Sequence, residues 1–328
     1  MTYVLGVDLG GTKVLAGVID IETGRVLATE KKRTRAEHGP SDIVERLIES
    51  AKKAVVASGV SHDEIDIMGI GVAGQLDRER GLILNAPNLA NMTNMPLADI
   101  VRRRLHHDVY LYNDVEAAAG GEAAFGAGEG HGDFVVIFVG TGIGGMVYRD
   151  GQPYSGTSHT AGEIGHMVID HNGRICSCGG VGHLEAYASR TAIVKYILAA
   201  MNLGRESVLS SVATEINPND PGGSGIRSGS IATALEKKDA LVEEAIRVGA
   251  EYLGSGLCSI INFYNPPLII LGGGLIEAVD PFFQAAARRA HEMSLHVPSK
   301  AVEIKKAGLG DNAGIVGAAA LAHAAQTH

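Results

Sequence analysis

VLGVDLGGTKVLAGVID, at residues 4–20, opens the chain with two apolar runs on either side of a Gly-Gly pair. This pattern predicts two strands joined by a tight turn. DFVVIFVGTGIGGMVYRDG, at residues 133–151, repeats the order of strand, glycine turn and strand. We interpret the two stretches as a weak internal repeat. The repeat predicts two structurally similar halves with a cleft between them.

Strand and helix patterns alternate along the rest of the chain, which predicts an α/β fold. Apolar residues at three- and four-residue spacing follow Ser41, which predicts an amphipathic helix capped by that serine. The segment from Leu84 to Pro96 is rich in Asn and Pro and is predicted to be a loop. A last, Ala-rich helix is predicted from about Asn312 to Ala325.

The composition describes a globular protein large enough for two domains. The chain has 328 residues, 45% of them hydrophobic, and a mean hydropathy of +0.11. Its net charge of -9 argues against a general nucleic-acid binder, because phosphate backbones require basic surfaces. The chain begins with an apolar strand pattern instead of a basic leader, and no apolar run is long enough to span a bilayer. We therefore expect a cytoplasmic protein with no nucleic-acid or membrane partner.

Three glycine turns follow apolar strand patterns, at Gly10-Gly11, Gly140 to Gly145 and Gly272 to Gly274. Glycine lets backbone N–H groups approach an anion closely, so such turns are suited to phosphates. A single turn of this kind is more often a tight hairpin, but three of them together favour a nucleotide site.

Two common nucleotide motifs do not fit these turns. The segment from Gly140 to Gly145 matches the dinucleotide pattern G-x-G-x-x-G, but that motif opens a helix, whereas a strand pattern follows here. Gly6 and Gly11 have the separation of a P-loop, but Thr12-Lys13 stands where Lys-Ser/Thr is required. What remains is a phosphate turn between two strands, with the carboxylate of Asp8 beside it to hold Mg²⁺ directly or through water.

A second chemical signal lies between Ala161 and Ser189. This short segment brings together several thiol, imidazole and carboxylate side chains, among them Cys176, Cys178, His166, His183, Glu163 and Glu185. The chain has only three cysteines, so a disulfide framework is not expected and metal binding is the better interpretation of the closely spaced pair. The segment predicts a metal-stiffened loop beside a polar binding site.

Six motifs occur in a specific order along nearly the whole chain. They are LGVDLGGTK at 5–13, NDVEA at 113–117, GTGIGG at 140–145, AGEIGHM at 161–167, CSCG at 176–179 and IILGGG at 269–274. In this order and spacing they resemble the ROK family (repressor, open reading frame, kinase), nearest to its bacterial glucokinases.

The resemblance implies a duplicated actin-like ATPase fold, of the ribonuclease H-like type, with two α/β domains around a cleft. We expect an N-terminal domain at residues 1–112 and a larger C-terminal domain with the zinc loop at residues 113–311. A last helix, at about residues 312–328, is expected to pack back onto the first domain.

The resemblance also implies where ATP binds. Its phosphates are expected at two turns, formed by Gly10, Gly11, Thr12 and Lys13 and by Gly140, Thr141 and Gly142. The adenosine is expected at the loop of Gly272, Gly273 and Gly274.

Asp114 is implied to be the general base, which accepts the proton of a sugar hydroxyl during phosphoryl transfer. Its position at a predicted helix N-terminus favours the ionised carboxylate. From the pattern alone, an ordinary helix cap is the alternative interpretation. By similarity, the sugar is expected to contact Asn88, Asn113, Asp114, Glu163, His166 and Glu185.

A structural Zn²⁺ is implied at His166, Cys176, Cys178 and His183, with the second ring nitrogen of His166 donating to the sugar. Many family members have a cysteine where His183 stands, so this chain has a Cys₂His₂ set instead of Cys₃His. A degraded or metal-free site is the alternative. A second departure is Asn91-Met92, which replaces the Gly-Trp of glucokinases in a chain that has no Trp.

An ATP-dependent glucokinase that phosphorylates the 6-hydroxyl of glucose is the leading hypothesis. Kinases for N-acetylglucosamine, N-acetylmannosamine, mannose or fructose are the closest alternatives, and polyphosphate is an alternative donor. A non-catalytic sugar sensor is the alternative from another class. A DNA-binding repressor is not expected, because Met1 directly precedes the first strand pattern and the chain is acidic. Since family members are often dimers or tetramers, we expect a homo-oligomer.

Overall fold

The computed structural model describes residues 2–86, 88–90, 92–158, 160–213 and 225–327. The strands are β1 (Tyr3–Leu9), β2 (Lys13–Asp20), β3 (Arg25–Arg33), β4 (Ile67–Val72), β5 (Gln75–Asp77), β6 (Leu82–Ala86), β7 (Met92–Met95), β8 (Asp108–Asn113), β9 (Phe134–Val139), β10 (Ile143–Arg149), β11 (Gln152–Pro153), β12 (Leu268–Gly272) and β13 (Glu303–Lys306). The helices are α1 (Pro40–Ser58), α2 (Leu97–Leu105), α3 (Asp114–Phe125), α4 (Glu185–Ala188), α5 (Arg190–Asn202), α6 (Ser228–Glu236), α7 (Ala240–Tyr264), α8 (Gly274–Ala278), α9 (Asp280–Met293), α10 (His296–Ala301) and α11 (Ala313–Thr327).

The chain divides into two units, Met1–Gly130 with Asp311–His328, and His131–Gly310. Each unit has its own apolar core, around residues such as Leu5 and Ile70 in the first and Ile137 and Ile269 in the second. This division counts α3 with the first unit, whereas the sequence predicts a boundary after residue 112. The physical reason is that α3 packs against α11 and β4, which belong to the first unit.

The two units are built on sheets of the same topology. The first sheet has the order β3-β2-β1-β4-β8, and the second has the order β11-β10-β9-β12-β13. In both, the first three strands are antiparallel neighbours and the last two continue the sheet in parallel. The predicted internal repeat and the α/β class are therefore confirmed.

Helix α11 lies against β1, β4 and α3 of the first unit. A Cβ added at Gly6 of β1 would overlap the carbonyl oxygen of Ile315, and one added at Gly69 of β4 would overlap that of Ala318. Both glycines thus allow the helix backbone to approach the sheet more closely than any other residue would permit.

The segment predicted as a loop between Leu84 and Pro96 contains strands, so this prediction is wrong in part. β5, β6 and β7 form a small antiparallel sheet, in which Asn85 pairs with Thr93. Burial of Ile83 and Met92 stabilises the strands despite their Asn content, because strand formation depends more on packing than on intrinsic preference. Pro87 and Asn91, which belong to the segment predicted as a loop, lie outside the described residues.

Helix α1 begins at Pro40, just after Gly39, and has no side-chain cap, so the predicted cap at Ser41 is wrong. Proline suits the first helical position because it has no N–H to satisfy there.

Within the described ranges, every helix is too short or too polar to cross a membrane.

Candidate active site

The predicted phosphate turn of the first unit joins β1 to β2 and is fixed by backbone contacts. The Gly10 N–H donates to the Lys13 carbonyl at 3.0 Å. Thr34, which follows β3, donates its hydroxyl to the Gly10 carbonyl at 2.6 Å and its N–H to the Thr12 carbonyl at 3.0 Å. The turn therefore has a defined shape before any ligand binds.

Asn88 lies directly against this turn. A Cβ added at Gly11 would lie 2.8 Å from the Asn88 carbonyl oxygen and 3.1 Å from its Cβ. The structure thus brings together one residue predicted for the sugar and one predicted for the phosphates. The close approach of Asn88 requires a residue without a Cβ at position 11.

Asp8 lies near the same turn in a largely buried position. Its carboxylate is 3.7 Å from Lys13 Nζ, which is also 3.6 Å from Asp311. Burial raises the pKa of Asp8 from 3.8 to about 6, against the lowering effect of Lys13, and the charges of Asp114 and Asp311 add to the rise. A buried carboxylate that lacks enough positive charge fits the prediction that it holds Mg²⁺ directly or through water.

Asn113 ends β8 and caps α3. Its Oδ1 accepts from the N–H groups of Val115 at 3.0 Å and Glu116 at 3.4 Å, and its Nδ2 donates to the Gly74 carbonyl at 3.3 Å. The cap is therefore Asn113, and the alternative interpretation of Asp114 as the cap is wrong. Both ends of the Asn113 amide hold the backbone that carries Asp114.

Asp114 is the first residue of α3 and is partly buried. Burial raises the pKa of its carboxyl above the ordinary 3.8, although the backbone N–H groups of Val115 and Asp114 lower it. The helix N-terminus alone predicts the opposite direction. Because a carboxylate with a raised pKa is a stronger proton acceptor, the net effect favours the role of a general base.

An ion pair between a buried glutamate and a half-exposed arginine ties the start of α3 to β5. Glu116 is 4% exposed and pairs with Arg78, which directly follows β5. Together with the bond from Asn113 to Gly74, just before β5, this pair fixes both ends of the strand. Since β5 pairs with β6, which leads to Asn88, the contacts connect the segment of Asp114 to that of Asn88. Pattern reasoning on the sequence did not identify Arg78 or the partner of Glu116.

In the second unit, the two predicted nucleotide turns follow neighbouring parallel strands. β9 ends at Val139 just before Gly140, and β12 ends at Gly272, which pairs with Phe138. Gly273 has a φ of 90°, and a Cβ there would lie 2.7 Å from the Val139 carbonyl oxygen. The turns therefore meet at one edge of the sheet, where the carboxyl ends of parallel strands commonly hold ligands.

Glu185, a predicted sugar contact, joins the Gly140 turn to the Cys/His segment. Its Oε2 accepts from the Ile143 N–H at 2.9 Å, and its Oε1 accepts from the Ser177 hydroxyl at 3.0 Å. A Cβ added at Gly142 would overlap Oε2. The sequence does not predict the contact with Ile143, because 42 residues separate it from Glu185.

The four predicted zinc ligands form one cluster. One ligand atom from each of His166, Cys176, Cys178 and His183 lies within 4.8 Å of all the others. The two Nδ1 atoms are 3.3 Å apart, and the nitrogen to sulfur distances are 3.9 Å for His166 with Cys176 and 3.2 Å for His183 with Cys178. A tetrahedral Zn²⁺ requires about 3.3 Å between nitrogens and about 3.6 Å between nitrogen and sulfur, given its usual bond lengths. The donor set therefore fits zinc.

His166 has its two ring nitrogens in different surroundings. Its Nδ1 faces the cluster, and its Nε2 lies 3.7 Å from the carboxylate of Glu163, which is 66% exposed. A metal on Nδ1 would leave the hydrogen on Nε2, where it can be donated. The two residues thus present a donor and an acceptor side by side.

Tyr187 supports the loop that carries the cysteines. Its hydroxyl accepts from the Arg174 N–H at 2.6 Å and donates to Asp170 at 3.0 Å. A Cβ added at Gly173 would overlap this hydroxyl. The sequence pattern gives no signal for these contacts.

Arg190 and Thr191, at the start of α5, hold the Gly140 turn from another side. The Arg190 N–H donates to the Gly140 carbonyl at 2.9 Å, and its Nη2 donates to Thr141 Oγ1 at 2.7 Å. Thr191 donates its hydroxyl to the Thr141 carbonyl at 2.6 Å. Sequence reasoning missed both residues. The available signal was Ser189, which caps α5 and so marks its start.

Known proteins are similar to this chain along nearly its whole length. The family model described as "ROK family" matches residues 4–325. A glucokinase of Thermotoga maritima is 33% identical over 319 residues, which cover 97% of this chain and 96% of that protein. A xylose repressor of Caldicellulosiruptor bescii is 28% identical over 320 residues, which cover 97% of this chain and 77% of that protein.

Solved structures are also similar to this chain along nearly its whole length. The crystal structure of a ROK family glucokinase from Streptomyces griseus, in complex with glucose and AMPPNP, has a TM-score of 0.80 and 33% identity over 98% of this chain and 99% of that one. This likeness confirms the expected actin-like ATPase fold with two domains.

Proposed function

Because the chain belongs to the ROK family, we propose that it is an ATP-dependent sugar kinase, and specifically a glucokinase acting on the 6-hydroxyl of glucose. Asp114 carries the proposal. It is a partly buried carboxylate with a raised pKa, at the first position of a helix whose cap is the neighbouring Asn113. A partly buried carboxylate with a raised pKa at this position supplies the proton acceptor that phosphoryl transfer to a hydroxyl requires.

In the proposed reaction, Asp114 accepts the proton of the sugar hydroxyl as the hydroxyl oxygen bonds to the γ-phosphorus. The bond from that phosphorus to the bridging oxygen breaks, and ADP leaves. The backbone of the Gly10 and Gly140 turns would hold the phosphates, and Asp8 would hold Mg²⁺. Bound Mg²⁺ supplies positive charge that offsets the charge developing on the phosphates.

Sugar recognition is proposed for Glu163, His166, Glu185 and Asn88. A carboxylate accepts several O–H donors, and a histidine Nε2–H adds a donor, which suits a polyol. A Zn²⁺ held by His166, Cys176, Cys178 and His183 would have no open coordination position. We therefore assign it a structural role, in which it fixes the tautomer and orientation of His166 beside Glu163.

The decisive experiment measures turnover with MgATP across a panel of sugars. A coupled assay for glucose 6-phosphate, and an ADP-release assay for mannose, fructose and N-acetylhexosamines, should give the highest kcat/KM with glucose. Absence of turnover with every sugar would refute the proposed kinase activity. A higher kcat/KM with another sugar would refute the proposed specificity for glucose.

Asp114→Asn tests the proposed base. It should lower kcat by about 10²-fold or more while the sugar Kd, measured by calorimetry, changes little. Asp99→Asn is the matched control, because Asp99 is exposed on α2 and contacts Arg102. Turnover by Asp114→Asn at the rate of the control would remove Asp114 as the base.

Metal analysis tests the proposed zinc site. The purified protein should contain zinc in equimolar amount. His183→Ala should lower the zinc content and weaken sugar binding, whereas His183→Cys should retain both. His171→Ala, at an exposed position in the same segment, is the control. If His183→Ala leaves zinc content and sugar affinity unchanged, the Cys₂His₂ assignment fails.

A further inference from the structure

Two residues of α5 hold the Gly140 turn, and the proposed kinase mechanism assigns neither of them a role. Arg190 reaches the turn twice, through its N–H to Gly140 and through its guanidinium to the hydroxyl of Thr141. Thr191 adds a third contact, to the Thr141 carbonyl. The backbone contacts set the shape of the turn, whereas the guanidinium contact has a further chemical consequence.

The contact with Arg190 sets the direction of the Thr141 hydroxyl. A threonine hydroxyl has one hydrogen to donate and two lone pairs that accept. Arginine has only donors, so Nη2 must occupy one of these lone pairs at the observed 2.7 Å. The hydroxyl hydrogen must then point away from Arg190. Thr141 is thereby presented as a donor to another acceptor.

Thr141 is exposed, and the space beside the neighbouring Gly140 is open. A Cβ added at Gly140 would meet no atom of the described residues within 4 Å, apart from those of its two chain neighbours. On the other side of the turn, Glu185 occupies the position next to Gly142 and binds the Ile143 N–H. The turn therefore lies between a carboxylate and a guanidinium, and an anion is attracted to the side of Arg190.

The guanidinium is also suited to phosphate itself. It carries five N–H donors in a planar fork that matches the oxygens of a phosphate, and its charge persists at all relevant pH values. Hydrogen bonds between ionised groups are shorter and stronger than neutral ones.

We propose that Arg190 is a phosphate-binding residue for the phosphate chain of a nucleoside triphosphate. It orients the Thr141 hydroxyl as a donor and adds its own charge to the phosphate held at the Gly140 turn. This inference rests on the proposed kinase function, since it takes that turn to be part of the nucleotide site.

Equilibrium binding tests this role without turnover. Calorimetry measures the Kd of AMPPNP with Mg²⁺, of adenosine, and of glucose. Arg190→Gln should weaken AMPPNP binding by about 10- to 100-fold, as expected for the loss of a charged hydrogen-bond partner. Adenosine and glucose should bind as in the wild type, because neither contacts the turn through phosphate. Arg190→Lys keeps the charge and should restore part of the affinity.

Thr141 variants separate the two parts of the proposal. Thr141→Val removes the hydroxyl at similar size and should weaken AMPPNP binding, whereas Thr141→Ser should not. Because Arg190 acts partly through Thr141, the double variant Arg190→Gln/Thr141→Val should lose less affinity than the product of the single losses. Arg205→Gln is the matched control, since Arg205 pairs with Glu244 at 2.9 Å in the same unit.

Unchanged AMPPNP affinity in Arg190→Gln would overturn the proposal, as would an equal loss for AMPPNP and adenosine, which indicates a structural role for the contact. A wild type that fails to bind AMPPNP would overturn it too. Failure of the proposed kinase function would give a different result. If the protein binds AMPPNP in an Arg190-dependent manner but phosphorylates no sugar, only the proposed kinase function is refuted. If Arg190→Gln does not fold, Arg190→Lys and the Thr141 variants supply the same comparison.

Discussion

Replacing Asp8 by Asn is expected to stabilise the ligand-free protein at neutral pH. Burial raises the pKa of this carboxyl from 3.8 to about 6, and Lys13, 3.7 Å away, only partly offsets the effect. The folded protein therefore binds a proton at Asp8 at pH values where the unfolded chain has already released it. The corresponding stability is fully present below about pH 4 and is lost as the pH rises through about 6.

The size of the effect follows from the two pKa values. The interval between 3.8 and about 6 corresponds to about 3 kcal/mol of unfolding free energy, at about 1.4 kcal/mol for each pH unit. The Asp8 side chain is 19% exposed, so solvent screens the effect only weakly. Asparagine has nearly the shape of the protonated acid and never ionises. The difference between Asp8→Asn and wild type should therefore grow from near zero at about pH 4 to about 3 kcal/mol at about pH 7.

Urea unfolding at a series of pH values, in buffer free of Mg²⁺ and nucleotide, measures this difference. Asp311→Asn is the control, because Asp311 also contacts Lys13 but has its pKa lowered, chiefly by that lysine. Its loss should destabilise the protein at neutral pH, with the opposite sign. An Asp8→Asn protein no more stable than wild type at neutral pH, or a difference that does not vary with pH, would refute the reasoning.

Three further predictions concern packing and the supports of the site. Gly317→Ala should lower the melting temperature, because its Cβ would overlap the Ala117 carbonyl in α3 and such overpacking costs about 1–3 kcal/mol. Gly229→Ala is the helical control, because its Cβ would meet no described atom within 4 Å beyond its own helix, and it should stabilise the protein by up to about 1 kcal/mol. A melting temperature of Gly317→Ala at or above that of wild type would contradict the close packing of α11 on α3. Tyr187→Phe should speed zinc transfer to a chromogenic chelator, because the ligand loop loses its hydroxyl anchor; an unchanged rate argues against that support. Glu185→Gln keeps an acceptor for the Ile143 N–H, so in calorimetry it should weaken the binding of glucose but not that of AMPPNP. Glu185→Ala removes the acceptor and should weaken the binding of both ligands. Equal effects of the two variants would contradict the bridging role of Glu185.

The sequence was sufficient for features that depend on local pattern. The strands before and after Gly10-Gly11 and Gly140 follow from apolar runs broken by glycine, and their repetition predicts the matching sheets. The proposed zinc ligands are also close in sequence, from His166 to His183, so their types and spacing predict the cluster. In both cases the chain itself brings the residues together.

Features that depend on distant contacts were not predictable in the same way. β6 and β7 form despite an unfavourable composition, because Ile83 and Met92 are buried. Arg190 meets Thr141 across 49 residues, and nothing in its local pattern indicates where its side chain points. The pKa of Asp114 shows the same limit: its helix position is local and lowers the pKa, whereas burial depends on the folded chain and has the larger effect.

The glycines of the two proposed phosphate turns also have a role that motif reasoning does not assign to them. Gly11 lies against Asn88, and Gly142 lies against the carboxylate of Glu185. Each of these two glycines therefore makes room for a residue proposed to bind the sugar. Both halves of the duplicated fold thus repeat the strand, the turn, and the packing of a residue proposed for the sugar against that turn. Adding a methyl group at either glycine would therefore displace that residue as well as narrow the proposed phosphate site. Loss of sugar affinity on Gly142→Ala, measured without nucleotide, would distinguish this packing role from a role in anion binding alone.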